Sequence, residues 1–270
     1  MRFDDFLQEA CPPLDLEWRK YRRRAARHRV NARLEELGIK DYGEYLGRLR
    51  INPREADALP DLMRITVTRF FRERKSWELL RQRVLPELLE STPDERPLKA
   101  WSVGCCGGEE PYSLAMLWLY GLPPELSGRS LQVLATDIDP DALERAERAV
   151  YSVSSLREVP ELFMQNAFRR EGNLFHLAPE VRDKVVLFRH NLMTDPLPLG
   201  MDLVLARYLP FTYYTGNRRR LAAERLWQAL RPGGALMIGL KEQLSSRERE
   251  LFHPWPEAEG LFFRRERNDA

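Results

Sequence analysis

The chain has 270 residues, 43% hydrophobic and 10% aromatic, an ordinary globular composition for one large or two unequal domains. Formal net charge is +2, because 43 Lys and Arg nearly cancel 41 Asp and Glu, so global charge selects no partner. No stretch approaches about 18 apolar residues, no signal segment opens the chain, and Cys11, Cys105 and Cys106 show neither zinc-site nor disulfide-framework spacing, so a cytoplasmic chain without membrane insertion is expected.

Residues 1–90 read as a helical N-terminal domain. The spacing of Tyr21, Ala25, Ala26, Val30 and Leu34 predicts one apolar stripe on a charged helix, with Gly38 as its C-cap. That helix carries a basic run, Arg19, Lys20, Arg22, Arg23, Arg24, Arg27, Arg29 and Arg33, with no acid among them. Such a run can attract an acidic partner, and equally it can be a solvated helix face. Further helices are predicted over Tyr42–Leu49, from Pro53, and from Lys75 to Leu89, and Ser91–Pro97 reads as a linker.

From residue 91 to 270 the pattern changes to strands alternating with helices. Strands are predicted at Leu98–Val103, Leu131–Ala135, Val185–Arg189, Met201–Ala206 and Ala235–Gly239, the last entered through a turn at Pro232-Gly233-Gly234. Helices are predicted at Pro111–Leu119, Pro140–Ala149 and Asn217–Leu230. This alternation implies an α/β domain with a parallel sheet and right-handed crossovers. Residues 151–184 break the rhythm with Pro160, Gly172-Asn173 and Pro179, and read as an inserted subdomain.

Two units carry chemistry. The run Trp101-Ser102-Val103-Gly104-Cys105-Cys106-Gly107-Gly108-Glu109-Glu110-Pro111 is a strand, a small-residue turn and a helix start. Such a turn lets the backbone approach a ligand. A dinucleotide would place its pyrophosphate on this helix N-terminus. Glu109 and Glu110 suit the helix dipole but repel phosphate. The turn therefore suits a ligand with hydroxyls and an ammonium or sulfonium, which describes S-adenosylmethionine. The second unit is Asp137, at the end of the second strand, positioned to accept hydrogen bonds from ribose hydroxyls. Asp139 precedes Pro140 and reads as a helix cap. Phe70, Phe71 and Trp101 read as core, and His190 as structural.

On four blocks the chain resembles the CheR family of chemotaxis receptor methyltransferases, which esterify receptor glutamates using S-adenosylmethionine. The blocks are Thr66-Val67-Thr68-Arg69-Phe70-Phe71-Arg72-Glu73, the Trp101 to Ser113 run, Ala135-Thr136-Asp137-Ile138-Asp139, and Asn191-Leu192 ahead of Asp202 to Arg207. The resemblance covers nearly the whole chain. It implies a Rossmann-like class I methyltransferase sheet with a small helical N-terminal domain, and a β-subdomain at 151–184. It further implies cofactor binding by Thr68, Arg72, Glu110, Asp137, Asn191, Leu192 and Arg207, with Arg72 near the transferring methyl.

The departures fall on the expected substrate side. The family's Arg-Asn pair is Arg207-Tyr208 here, and its Gly-His-Ser-Glu is Gly239-Leu240-Lys241-Glu242. Its active-site tyrosine falls on Thr212, and a one-residue shift beside Pro210 would put Tyr213 in that catalytic role. A carboxylate acceptor is already ionised at neutral pH and needs no base. An amine or phenol would need one, and His190 and Tyr213 are the candidates. The expectation is methyl transfer to a protein carboxylate, the alternatives being a small-molecule acceptor or cofactor binding without turnover. No nucleic-acid acceptor is expected.

Overall fold

A computed structural model describes residues 1–66, 68–258 and 260–266. Val67, within the first motif block, and residues 267–270 of the expected 91–270 domain lie outside the described residues. Contacts divide the chain into two compact units. One comprises Met1–Thr66 with Tyr208–Ala222, the other Val67–Arg207 with Ala223–Ala270.

The first unit is helical. It contains α1 (Phe3–Ala10), α2 (Arg24–Glu36), α3 (Tyr42–Ile51) and α4 (Pro53–Leu62). Ala26, Val30 and Leu34 are buried, as the stripe on α2 predicts, but Ala25 is exposed and α2 begins only at Arg24, after a 3-10 turn over Trp18–Tyr21. The basic run is not one solvated face. Arg33 makes a two-pronged contact with the buried Glu55 carboxylate at 2.7 and 3.0 Å. Arg29 donates to the Leu62 and Arg64 carbonyls, so two arginines of the run brace α2 against the end of α4. The second unit supplies α5 (Arg74–Leu79), α6 (Leu85–Glu90) and a π-helical segment, Leu80–Val84, between them. The single helix expected there is thus interrupted just ahead of Pro86, whose ring removes an N–H from the ladder.

The strands are β1 (Leu98–Val103), β2 (Leu131–Asp137), β3 (Val150–Ser152), β4 (Phe168–Glu171), β5 (Leu174–Leu177), β6 (Val185–Arg189), β7 (Met201–Leu205), β8 (Leu230–Met237), β9 (His253–Pro254) and β10 (Phe262–Arg264). Seven form one sheet of order β6-β2-β1-β7-β8-β10-β9, parallel from β6 through β8, with β10 antiparallel. The remaining helices are α7 (Glu109–Gly121), α8 (Pro124–Ser127), α9 (Pro140–Arg148), α10 (Glu161–Ala167), α11 (Pro179–Arg182), α12 (Pro210–Tyr213) and α13 (Gly216–Ala229). Central strands read as near-continuous apolar runs because both faces are covered: β7 is buried at every residue. This is the Rossmann-like α/β architecture that the resemblance implies, and its strand order reverses between β1 and β7, where ligands bind in open α/β sheets.

The interruption at 151–184 folds as a three-stranded antiparallel sheet, β3-β5-β4, with α10 and α11. Pro232-Gly233-Gly234 is not a turn preceding a strand. It lies inside β8, which starts at Leu230 and shifts register against β7 between Met201 and Leu203. A bulge absorbs the missing proline N–H and the positive φ (77°) of Gly233. The segment expected to be a linker is also anchored. Arg96 reaches the buried Asp202 with two bonds of 2.6 and 3.0 Å, and Arg129 donates to the Thr92 and Pro93 carbonyls.

Candidate active site

The site grows from the carboxyl ends of adjacent strands. β1 leaves the sheet at Gly104 (φ +70°), whose N–H, with that of Cys105, donates to the Thr136 carbonyl on β2. Cys106 follows at φ +50°, and Gly108 at φ +87° opens α7. A Cβ on Gly108 would lie 2.7 Å from the Tyr112 ring and 3.0 Å from the Ala146 methyl. Only glycine fits there, which is why the helix start sits so close to the strand end.

Asp137 closes β2 and is buried. One carboxylate oxygen accepts the Cys106 N–H at 2.8 Å and the other the Asp139 N–H at 2.9 Å. Its backbone carbonyl accepts the His190 N–H. The end of β2 thereby ties the β1 turn on one side to Asn191 on the other. Asp139 caps α9 through the Asp141 N–H, as its place before Pro140 predicts.

After β6, Asn191 forms a compact turn: its side-chain oxygen accepts the Met193 N–H at 2.9 Å, and its own N–H donates to Asp195 at 2.8 Å. Leu192 is buried. His190 is buried with Nε2 3.0 Å from the Pro196 carbonyl and its ring edge-on to Trp101.

Glu110 lies in the first turn of α7, one oxygen accepting from the Ser102 hydroxyl at 2.9 Å and the other from Arg207 at 3.2 Å. Burial pushes its carboxyl up from the ordinary value, against the pull of Arg207, Ser102 and Arg72. Glu109 is raised by burial too, and its Oε2 has no hydrogen-bond partner among the described residues. Arg207, two residues past β7, is 3% exposed at its side chain. It bridges Glu110 and Glu73, and donates to the Arg72 carbonyl at 2.6 Å. Glu73, Trp77 and Glu158 were not singled out from sequence. Only the position of Glu73 beside Arg72 in the motif pointed to it.

Phe70 and Phe71 are buried, as composition predicts for core aromatics. Their backbones are captured: the Phe70 N–H by the Ser155 carbonyl of the inserted subdomain, the Phe71 N–H by the Ser113 hydroxyl of α7. Thr68 is half-buried on the same loop. Thus Thr68, Arg72, Glu110, Asp137, Asn191, Leu192 and Arg207 all belong to one compact unit. Tyr213 does not. It belongs to the helical unit with Thr212 and Tyr208. Its ring lies 5.1 Å from that of the buried Tyr21, and its carbonyl accepts the Glu17 N–H. Tyr208, at the position of the family's asparagine, has φ +56°, a conformation that asparagine tolerates better than most residues.

A turn of small residues bounded by Asp137, Glu109 and Glu110 fits a cofactor with hydroxyls and positive charge. Its carboxylates oppose a phosphate. Fold and donor set together define a S-adenosylmethionine-dependent methyltransferase. Residues 66–259 match the CheR methyltransferase SAM-binding domain, and the chain belongs to that family. It is 32% identical to a chemotaxis protein methyltransferase of Listeria monocytogenes over 86% of each chain. It is 31% identical to chemotaxis protein methyltransferase 2 of Vibrio cholerae, over 81% of this chain and 76% of that one. It is 29% identical to chemotaxis protein methyltransferase Cher2 of Pseudomonas putida over 90% of both.

Proposed function

We propose that this enzyme transfers the methyl group to a carboxylate, specifically a glutamate side chain of a receptor protein. The observation that carries the reading is Arg72. Its backbone is gripped through a buried arginine and a tryptophan, and that arginine also holds Glu110. A guanidinium is planar and permanently charged, suited to orienting an acceptor carboxylate. The relatives' naming as chemotaxis protein methyltransferases supports a protein acceptor.

S-adenosylmethionine supplies an electrophilic methyl on a sulfonium. In this reading Asp137 holds the ribose hydroxyls, Asn191 and Leu192 lie on the adenine side, and Thr68, Glu110 and Arg207 complete the cofactor's surroundings. Arg72 aligns the acceptor. A glutamate is ionised at neutral pH, so this chain needs to provide alignment and exclusion of water more than proton removal. His190 is a poor base for any other acceptor, because its ring is buried against Trp101 and its Nε2 faces a carbonyl. A cytoplasmic location is part of the proposal, in keeping with three free cysteines.

Receptor-bearing membranes incubated with the protein and methyl-labelled cofactor should yield label released as methanol by alkali. Label that resists alkali, or none at all, would refute the carboxylate assignment. A small-molecule acceptor is the second reading, favoured by the altered segment from Tyr208 to Tyr214. It predicts turnover on a metabolite extract and none on membranes.

A further inference from the structure

Arg72 sits between two non-glycine residues with left-handed backbones, Phe71 at φ +50° and Glu73 at φ +66°. Such strain persists only where surroundings over-determine it. Here they do. The Phe71 N–H donates to the Ser113 hydroxyl at 2.9 Å, and the Glu73 N–H to the Glu158 carboxylate at 2.9 Å. The Arg72 carbonyl accepts twice, from Arg207 Nη2 at 2.6 Å and from Trp77 Nε1 at 3.1 Å. One oxygen of the Glu73 carboxylate accepts from Arg207 at 2.9 Å and from the Leu240 N–H at 3.0 Å. The guanidinium of Arg207 lies 5.6 Å from the Trp77 ring centre.

These contacts make a chain of dependence. Arg207 can hold the Arg72 peptide only while its own charge is anchored. The side chains of Arg207, Glu73 and Glu110 are 3%, 14% and 12% exposed, so water does little of that anchoring. We propose that Glu73 is a positioning residue for Arg72: its carboxylate seats Arg207, and Arg207 fixes the Arg72 peptide and the Glu110 carboxylate in one buried frame. This rests on Arg72 being the side chain that faces the reaction. It assigns Glu73 no contact with cofactor or acceptor, and it makes Arg207 part of the frame.

A double-mutant cycle on Glu73→Gln and Arg72→Ala tests the proposal, because residues that act through one another are not additive. Two quantities are read: S-adenosylhomocysteine affinity by calorimetry, and alkali-labile methyl transfer to receptor-bearing membranes. In the otherwise unchanged protein, Glu73→Gln should slow transfer by about tenfold or more and weaken affinity roughly fivefold, since small misplacements at a reacting centre cost rate steeply. In the Arg72→Ala background either further loss should stay below about twofold. Arg207→Lys keeps the charge without the planar fork, and should reproduce the Glu73→Gln losses. Equal losses in both backgrounds, or none in either, would overturn the proposal. If the unsubstituted protein binds S-adenosylhomocysteine yet labels no membrane acceptor, the acceptor reading fails, and the cycle is decided on affinity alone.

Discussion

Asp137 serves a turn, and in the proposed reading it serves a ligand as well. Its oxygens already accept the Cys106 and Asp139 N–H groups, and each oxygen has further lone-pair capacity. Replacing it with alanine should weaken S-adenosylhomocysteine binding by roughly tenfold to a hundredfold, the scale of one or two charged hydrogen bonds. Calorimetry with unchanged affinity would remove Asp137 from the ribose role. The tyrosine question is tested at the same scale. Tyr213 packs on Tyr21, and Thr212 occupies the family's tyrosine position without a gap. Tyr213→Phe should slow methyl transfer while Thr212→Val leaves it within about twofold, a modest change by the logarithmic scale of rates. The reverse ranking, measured in one transfer assay, would cancel the one-residue shift.

Among the elements, the β1 to α7 connection is the most constrained. A side chain on Gly108 meets the Tyr112 ring, whose hydroxyl is itself fixed on the Ala146 carbonyl of α9, and the φ of +87° opposes any L-residue. Gly108→Ala should therefore destabilise the protein by about 1–3 kcal/mol and weaken S-adenosylhomocysteine binding, both read from thermal melts with and without ligand. A fully stable variant would mean that the turn relaxes. The run of small residues advertised this turn, because nothing larger fits between a strand end and a helix start. The bulge in β8 carried no such signal. Pro-Gly-Gly is a turn by local chemistry, and here it forms the irregularity inside β8 between Leu230, opposite Met201, and Ala235, opposite Leu203.

Across the whole molecule, Asp202 ties distant parts of the chain to the centre of the sheet. Its side chain is fully buried, and it binds Arg96, Arg231 and the Lys99 N–H. Burial alone would push its carboxyl up, but these donors outweigh it and hold it below the ordinary value. The sign follows from linkage. A folded-state value below the unfolded value of about 3.9 stabilises above that pH, and the stabilisation fades as pH falls through the folded value. Asp202→Asn should cost about 3 kcal/mol at pH 7, since it removes the buried carboxylate that two partly buried arginines share, and the gap between variant and parent should narrow below about pH 4. Denaturant unfolding at pH 7 and pH 3 gives the comparison, and a gap that is constant with pH would assign the loss to packing.

Much of this was legible in the chain. Leu98–Val103, Val185–Arg189 and Asp139 as a cap agree with the structure because each depends on neighbours within a few residues. The π-helical segment before Pro86 and the late start of α2 were not legible, since both are set by how helices meet other elements. The site divides the same way. Asp137 ends a strand and Glu110 stands at a helix start, boundaries that periodicity locates. The partners that hold Arg72 and Glu73 include residues 158, 207 and 240, separations over which a sequence carries no geometric information.

By itself the sequence determined the alternation of strands and helices, the glycine turn and the charge at its mouth, because steric fit and periodicity act locally. Only the tertiary structure decided that Tyr208–Ala222 joins the N-terminal helices and that Arg207 is buried between two carboxylates. Those outcomes depend on which surfaces meet when the apolar faces are removed from water, a long-range choice that no local pattern encodes.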